Sequence, residues 1–120
     1  MRPEGEKAFG YAQAVRSGDT LHIAGTLSLD ADFAPVHAGD MGGQIATVYA
    51  AIGETLAAFG ATLGNVVRET IYVTDMDAFI AANGVRMTAY AGWHPATTAV
   101  EVRRLAFADC MVEIELTAQL

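Results

Sequence analysis

The stretch that most constrains this chain is Met111–Ala118, M-V-E-I-E-L-T-A, where apolar and polar residues alternate without a break. A period of two is the pattern of a β-strand with one face buried. It places Val112, Ile114, Leu116 and Ala118 on a core face and sends Glu113 and Glu115 to the other. Such a strand is stable only inside a sheet whose apolar side is covered by a second layer.

The rest of the sequence supplies that layer. Asp40 is a suitable N-cap, since its carboxylate can accept from the free N–H groups of a first turn. Ile45, Val48, Ile52, Leu56 and Phe59 then recur at helical spacing, and Gly60 is a natural stop. Val66–Thr74 is rich in β-branched residues and predicts a strand. Asp75 or Asp77 caps a second helix with a stripe of Met76, Phe79, Ile80, Asn83, Met87 and Tyr90. Upstream, Arg2–Gly10 reads as an exposed lead-in. Tyr11–Arg16 and Thr20–Thr26 form a hairpin about Ser17-Gly18-Asp19. Ser28–Gly39 is a loop, and Thr98–Val102 is a strand following Pro95. The order is ββαβαββ, which predicts an α+β fold: a mixed sheet with two helices on one face, residues 1–120 forming a single domain.

Charge narrows the function. Seven Lys or Arg stand against fourteen Asp or Glu, a formal net charge of −7. This argues against nucleic acid, whose binding needs a basic face, and against an anionic membrane surface. The longest uncharged run, Met87–Val100, has 14 residues, short of the ~20 that span a bilayer. The N-terminus has no apolar signal segment. The single cysteine, Cys110, excludes an intrachain disulfide framework and fits a reducing compartment. These features predict a soluble cytoplasmic protein. Between Met41 and Val67 only Glu54 is charged; a surface this poor in charge predicts a homo-oligomer.

No phosphate-binding glycine loop, nucleophile elbow or metal-binding helix motif is present. The spacing of His22, His37 and His94 suggests no metal site. Cys110 follows Asp109, which does not favour a thiolate, so it reads as structural. Three features remain, each with two readings. Glu113 and Glu115, about 6.6–7 Å apart along one strand face, are either a solvated surface or carboxylates lining a cleft, one with a raised pKa suited to moving protons. Asn83, inside an apolar stripe, is either a satisfied core amide or a ligand contact. Tyr11, near the first turn, is either packing or part of a site.

The blocks G-Y-A-Q-A-V (Gly10–Val15), A-G-T-L-S-L-D (Ala24–Asp30), Q-I-A-T-V-Y-A-A-I (Gln44–Ile52), E-T-I-Y-V-T-D-M-D-A-F (Glu69–Phe79) with Ala82-Asn83, H-P-A-T-T-A-V-E-V (His94–Val102) and V-E-I-E (Val112–Glu115) follow one another in an order and spacing that resembles the RidA/YjgF family, also known as endoribonuclease L-PSP. The resemblance covers about Phe9–Leu120. It implies a chorismate-mutase-like fold, a homotrimer whose sheets form a central barrel, and clefts between subunits. It also implies hydrolysis of reactive enamines and imines derived from amino acids, without metal or organic cofactor. In the family an arginine holds the substrate carboxylate and a glutamate of the last strand orients water. By that match Glu113 is the water-orienting glutamate, and Tyr11, Gly25 and Asn83 line the cleft.

Three positions depart from the pattern. Before Gly25, Ala24 stands where the family's S-G segment has a serine. The family's P-A-R-[ST] reads Pro95-Ala96-Thr97-Thr98 here, so Thr97 stands where the arginine would be, and Ala99 where many members carry a cysteine. A guanidinium offers a bidentate, charge-assisted bond to a carboxylate, whereas threonine offers one neutral hydroxyl. Losing such a contact in a buried site costs about 2–5 kcal/mol. Arg86, His94 and, from further along the chain, Arg103 are the candidate replacement cations. Two functions are therefore expected to compete: a deaminase-type hydrolase with an altered small-molecule substrate, and a non-catalytic binding or regulatory trimer. The acidic balance opposes an endoribonuclease.

Overall fold

The computed structural model describes residues 2–120. The elements run α1 (Pro3–Phe9), β1 (Ala14–Ser17), β2 (Thr20–Leu27), α2 (Met41–Ala57), a 3₁₀ turn (Leu63–Asn65), β3 (Val66–Val73), α3 (Met76–Tyr90), β4 (Ala96–Glu101) and β5 (Val112–Gln119). The five strands form one sheet in the order β1-β2-β5-β3-β4. All neighbours are antiparallel except β3 and β4, which are parallel. This is the expected α+β arrangement, with α2 and α3 packed on one face of a mixed sheet.

Its core follows from the two periodicities. Val112, Ile114, Leu116 and Ala118 of β5 are buried, as are Ile45, Val48, Ile52 and Leu56 of α2. Asp40 caps α2 by accepting from the Gly43 N–H at 3.0 Å, and Asp75 rather than Asp77 caps α3, accepting from Ala78 N–H at 3.0 Å. Each cap satisfies a donor that the first helical turn leaves free.

Two expectations are corrected. The lead-in is exposed but helical: Pro3 opens α1, Glu4 and Glu6 sit in its first turn, and Gly10 ends it at φ 76°. Arg2 ties this helix to the carbonyls of Leu29 and Asp30, and Phe9 stacks on Phe33 with ring centroids 5.5 Å apart. The apolar stripe of α3 also differs from the predicted one. Phe79 and Tyr90 are buried, but Ile80 and Met87 are 64% and 57% exposed. The inward face instead carries Arg86, drawn there by a buried carboxylate described below.

An extra residue interrupts the β2–β5 register, since Ile23 pairs with Leu116 but Thr26 with Ile114. Such a bulge reverses which side chains face inward. Leu21 and Ile23 pack under the helices, while Leu27 joins Leu29 and Cys110 in a small second cluster with Phe33, Leu105 and Phe107 around it. Leu27 is the register partner of Glu113, so this cluster closes over the sheet beside that glutamate.

Candidate active site

Glu113 projects from β5 on the face away from α2 and α3, beside Tyr72 of β3 in register. With Tyr11, Ala24, Gly25, Tyr72 and Glu115 it lines a depression of about 380 Å³. Gly25 has a specific reason to be glycine. A Cβ there would lie 2.8 Å from Glu113 Cδ and 3.1 Å from Oε1, so its absence lets the carboxylate lie against the β2 backbone. Burial pushes the Glu113 carboxyl above its ordinary range, and the neighbouring Glu115 adds to the rise. Glu115 itself accepts from Tyr72 Oη at 2.7 Å. Glu113 has no hydrogen-bond partner among the described residues. Tyr11 is raised as well, first by burial and then by Glu6, with Glu113 contributing. Of the sequence-predicted residues, Tyr11, Gly25 and Glu113 are thus brought together, and Tyr11 belongs to the depression rather than to the core.

A second depression, of about 280 Å³, is lined by Phe79, Ile80, Asn83, Arg86, Thr97 and Ala99. Asn83 is half-buried there, and its amide makes no hydrogen bond among the described residues, so it is not a satisfied core group. Beneath lies Glu69, with no exposed surface. Its Oε1 accepts from Tyr49 Oη at 2.7 Å and Tyr90 Oη at 2.8 Å. Its Oε2 accepts from Arg86 Nε at 3.0 Å, Arg86 Nη2 at 2.5 Å and Thr97 Oγ1 at 2.8 Å. Every polar group around it is a donor, which suits the acceptor-only oxygens of a carboxylate. Arg86 also donates to Thr97 Oγ1 at 2.7 Å and stacks 5.3 Å from the centroid of Tyr90. Burial, followed by the charge of Glu69, pushes the phenols of Tyr49 and Tyr90 far above their ordinary range, so both remain donors.

Arg86 therefore reaches the predicted place, but its charge is met by Glu69. His94 is exposed in the connection between α3 and β4 and lines neither depression. Arg103 lies beyond the end of β4 and is also exposed. Glu69 is the residue that reading the sequence missed. The available signal was parity, since it shares a strand face with Ile71 and Val73.

The two depressions open on opposite faces of the sheet. Thr97 pairs with Glu69 and Ala99 with Ile71, on the helix side; Glu113 pairs with Tyr72, on the other. One chain cannot bring Glu113 to the same ligand as Thr97 and Asn83. A further depression of about 330 Å³, bounded by Arg2, Thr47 and Glu54, holds none of these residues. Its Gln13 and Thr26 bond to each other at 3.0 Å. Cys110 is buried against Leu27 and Leu29, and burial pushes its thiol up, which fits a structural role. Among the described residues no helix is long and apolar enough to cross a membrane.

Comparison with known proteins adds a family match, two relatives and two solved structures. The sequence profile of the family described as Endoribonuclease L-PSP matches residues 3–120. The chain is 36% identical over 108 residues to a RutC family protein of Pyrococcus horikoshii, covering 90% of this chain and 85% of that one. It is 32% identical over 108 residues to the 2-iminobutanoate/2-iminopropanoate deaminase of Mus musculus, covering 90% and 79%. Among solved structures, a YjgF/YER057c/UK114 family member from Mycobacterium tuberculosis superposes with a TM-score of 0.85 at 35% identity, covering 98% of this chain and 92% of that one. RidA from a Psychrobacter species gives a TM-score of 0.84 at 31% identity, covering 92% and 88%.

Proposed function

The chain belongs to the endoribonuclease L-PSP family of RidA and YjgF proteins, and from that premise we propose that it is an imine or enamine hydrolase whose site is completed between two copies in a homotrimer. The observation that carries this reading is Glu113: a half-buried carboxylate on the floor of a depression, without a hydrogen-bond partner among the described residues, seated against a glycine that makes room for it. A carboxylate with free acceptor capacity and a raised pKa is suited to take a proton from water. In the proposed reaction Glu113 accepts that proton as the water oxygen bonds to the imine carbon. That proton passes to nitrogen, giving a carbinolamine; the proton of the new hydroxyl then moves by way of Glu113 to the amine as the C–N bond breaks, so that a carbonyl compound and ammonia leave. Tyr11 lines the cleft beside Glu113.

Asn83, Thr97 and Ala99 of a neighbouring copy supply the opposite wall in this reading. Support comes from the position of the two depressions on opposite faces of the sheet, and from Ile80, Met87 and Val100, which a lone chain leaves exposed. Sedimentation is expected to show a trimer; a monomer at micromolar concentration overturns the shared cleft. Purified protein is expected to release ammonia from freshly generated imines, and Glu113→Gln to slow this by about 10²–10⁴-fold. Equal rates for the two proteins overturn the hydrolase reading.

The neutralised Arg86 favours one alternative, a trimer that binds a small molecule without turning it over. A compound that raises the melting temperature and is recovered unchanged supports it. Consumption of every stabilising compound removes it.

A further inference from the structure

The wall formed by Asn83, Arg86, Thr97 and Ala99 carries a single cation, and that cation is already paired. Arg86 has five N–H donors. Nε and Nη2 are engaged by Glu69, and Nη2 also by Thr97. The Thr97 hydroxyl is itself consumed, accepting from Arg86 and donating to Glu69. Stacking on Tyr90 and a side chain only 14% exposed keep the guanidinium from swinging outward. The depression is lined by Phe79, Ile80, Asn83, Arg86, Thr97 and Ala99, and the donors of this lining that have no protein partner among the described residues are Arg86 Nη1 and the Asn83 amide. The one cation is compensated at 2.5 Å by a carboxylate with no exposed surface.

In the shared cleft proposed above, the facing wall carries Glu113 and Glu115. A substrate carboxylate placed there would lose its hydration, face acidic side chains and meet a guanidinium whose charge is already spent. Desolvating a charge without an uncompensated partner is strongly unfavourable. A neutral carbonyl, amide or hydroxyl has no such penalty, and Nη1 and the Asn83 amide offer it donors.

We infer that the substrate end seated on Asn83, Arg86 and Thr97 is uncharged, so that the cleft takes neutral imines or enamines bearing a hydrogen-bond acceptor rather than 2-imino acids. This inference rests on the reading of the cleft as the ligand site, and it is tested by binding without turnover. Calorimetry compares 2-oxobutanoate with 2-oxobutanamide, two stable carbonyl compounds of nearly the same shape, in which an uncharged amide replaces the carboxylate. The wild-type protein is expected to bind the amide about tenfold more tightly than the acid. Glu69→Gln, which removes the compensating charge, is expected to raise affinity for the acid and leave the amide unchanged. If that variant does not fold, Thr97→Arg makes the same test from the depression's rim, by adding an uncompensated guanidinium. Equal affinity, a preference for the acid, or binding of neither compound at millimolar concentration overturns the inference. An amide preference without ammonia release from any imine overturns the hydrolase reading alone. Efficient release from a 2-imino acid, equal to that from its neutral counterpart, keeps the hydrolase and overturns the neutral substrate.

Discussion

Glu69 and Glu113 lie on adjacent strands of the same sheet, yet the fold treats them in opposite ways. Glu69 turns toward the helices, where five hydrogen bonds from four side chains converge on it. Glu113 turns toward the open face, has no partner among the described residues, and is pushed toward its protonated form by burial. The difference is one of supply. A carboxylate surrounded by donors is stabilised and chemically idle, whereas one that is partly dehydrated and left without donors stays basic enough to work. The first holds the molecule together and sets the charge of one wall; the second is the candidate for moving a proton.

This contrast can be broken from either side. The largest effect is expected at Glu69→Ala. It leaves the Arg86 charge without its carboxylate and two buried tyrosine hydroxyls without their acceptor, and should cost about 3–5 kcal/mol in urea unfolding, a large part of the ~5–15 kcal/mol typical of a domain. If stability is unchanged, Glu69 is not structural and the comparison fails. Next is Gly25→Ala, whose new methyl group displaces the Glu113 carboxylate while disturbing little else. Ammonia release should fall on the order of 10²-fold, the penalty for misplacing a reacting group by about 1 Å, with the melting temperature nearly unchanged.

Glu113→Gln gives a smaller effect of opposite sign to Glu69→Ala. Because folding raises the Glu113 pKa, the stability it contributes is complete below the ordinary value of 4.5 and is lost as pH rises through the folded value. At neutral pH the ionised side chain is thus a net cost. The glutamine variant should melt at a slightly higher temperature than wild type, and the gap should close on acidification below 4.5. The smallest change is expected for Glu115→Gln. Removing that negative charge moves the acid limb of the pH–rate profile downward, but burial, the larger cause, keeps it above 4.5. An acid limb that does not move would show that Glu115 is too well solvated, or too engaged with Tyr72, to act on its neighbour.

The fold was legible wherever one face of an element is buried and the other is not. The alternation of β5 and the stripe of α2 are read directly, because burial of a single face imposes a period; the cap at Asp40 is read as well, while for α3 the sequence leaves Asp75 and Asp77 open and the structure selects Asp75. Helix α1 escaped notice since it buries no residue and so leaves no stripe; only Pro3 and the acidic first turn mark it. The face of α3 was misassigned for a related reason. An inward-facing arginine breaks an apolar pattern, and only the tertiary pairing with Glu69 explains why it points there. For the site, family resemblance and geometry agree in grouping Tyr11, Gly25 and Glu113. The internal compensation of Arg86 depends on β3, β4, α2 and α3 meeting at one point, which no local pattern encodes.

The strand order carries a consequence for how the chain acquires its structure. β5 comes last in sequence among the five strands but occupies the middle of the sheet, hydrogen-bonded to β2 on one side and β3 on the other. Until its residues have been synthesised, the β1–β2 hairpin and the β3–α3–β4 unit share no ladder, and the apolar surface of α2 has only part of its platform. Non-local pairing of this kind is paid late and slows folding. The sheet therefore stays unclosed until the strand bearing Glu113 inserts, which completes both ladders and the face that carries Glu113 in one step.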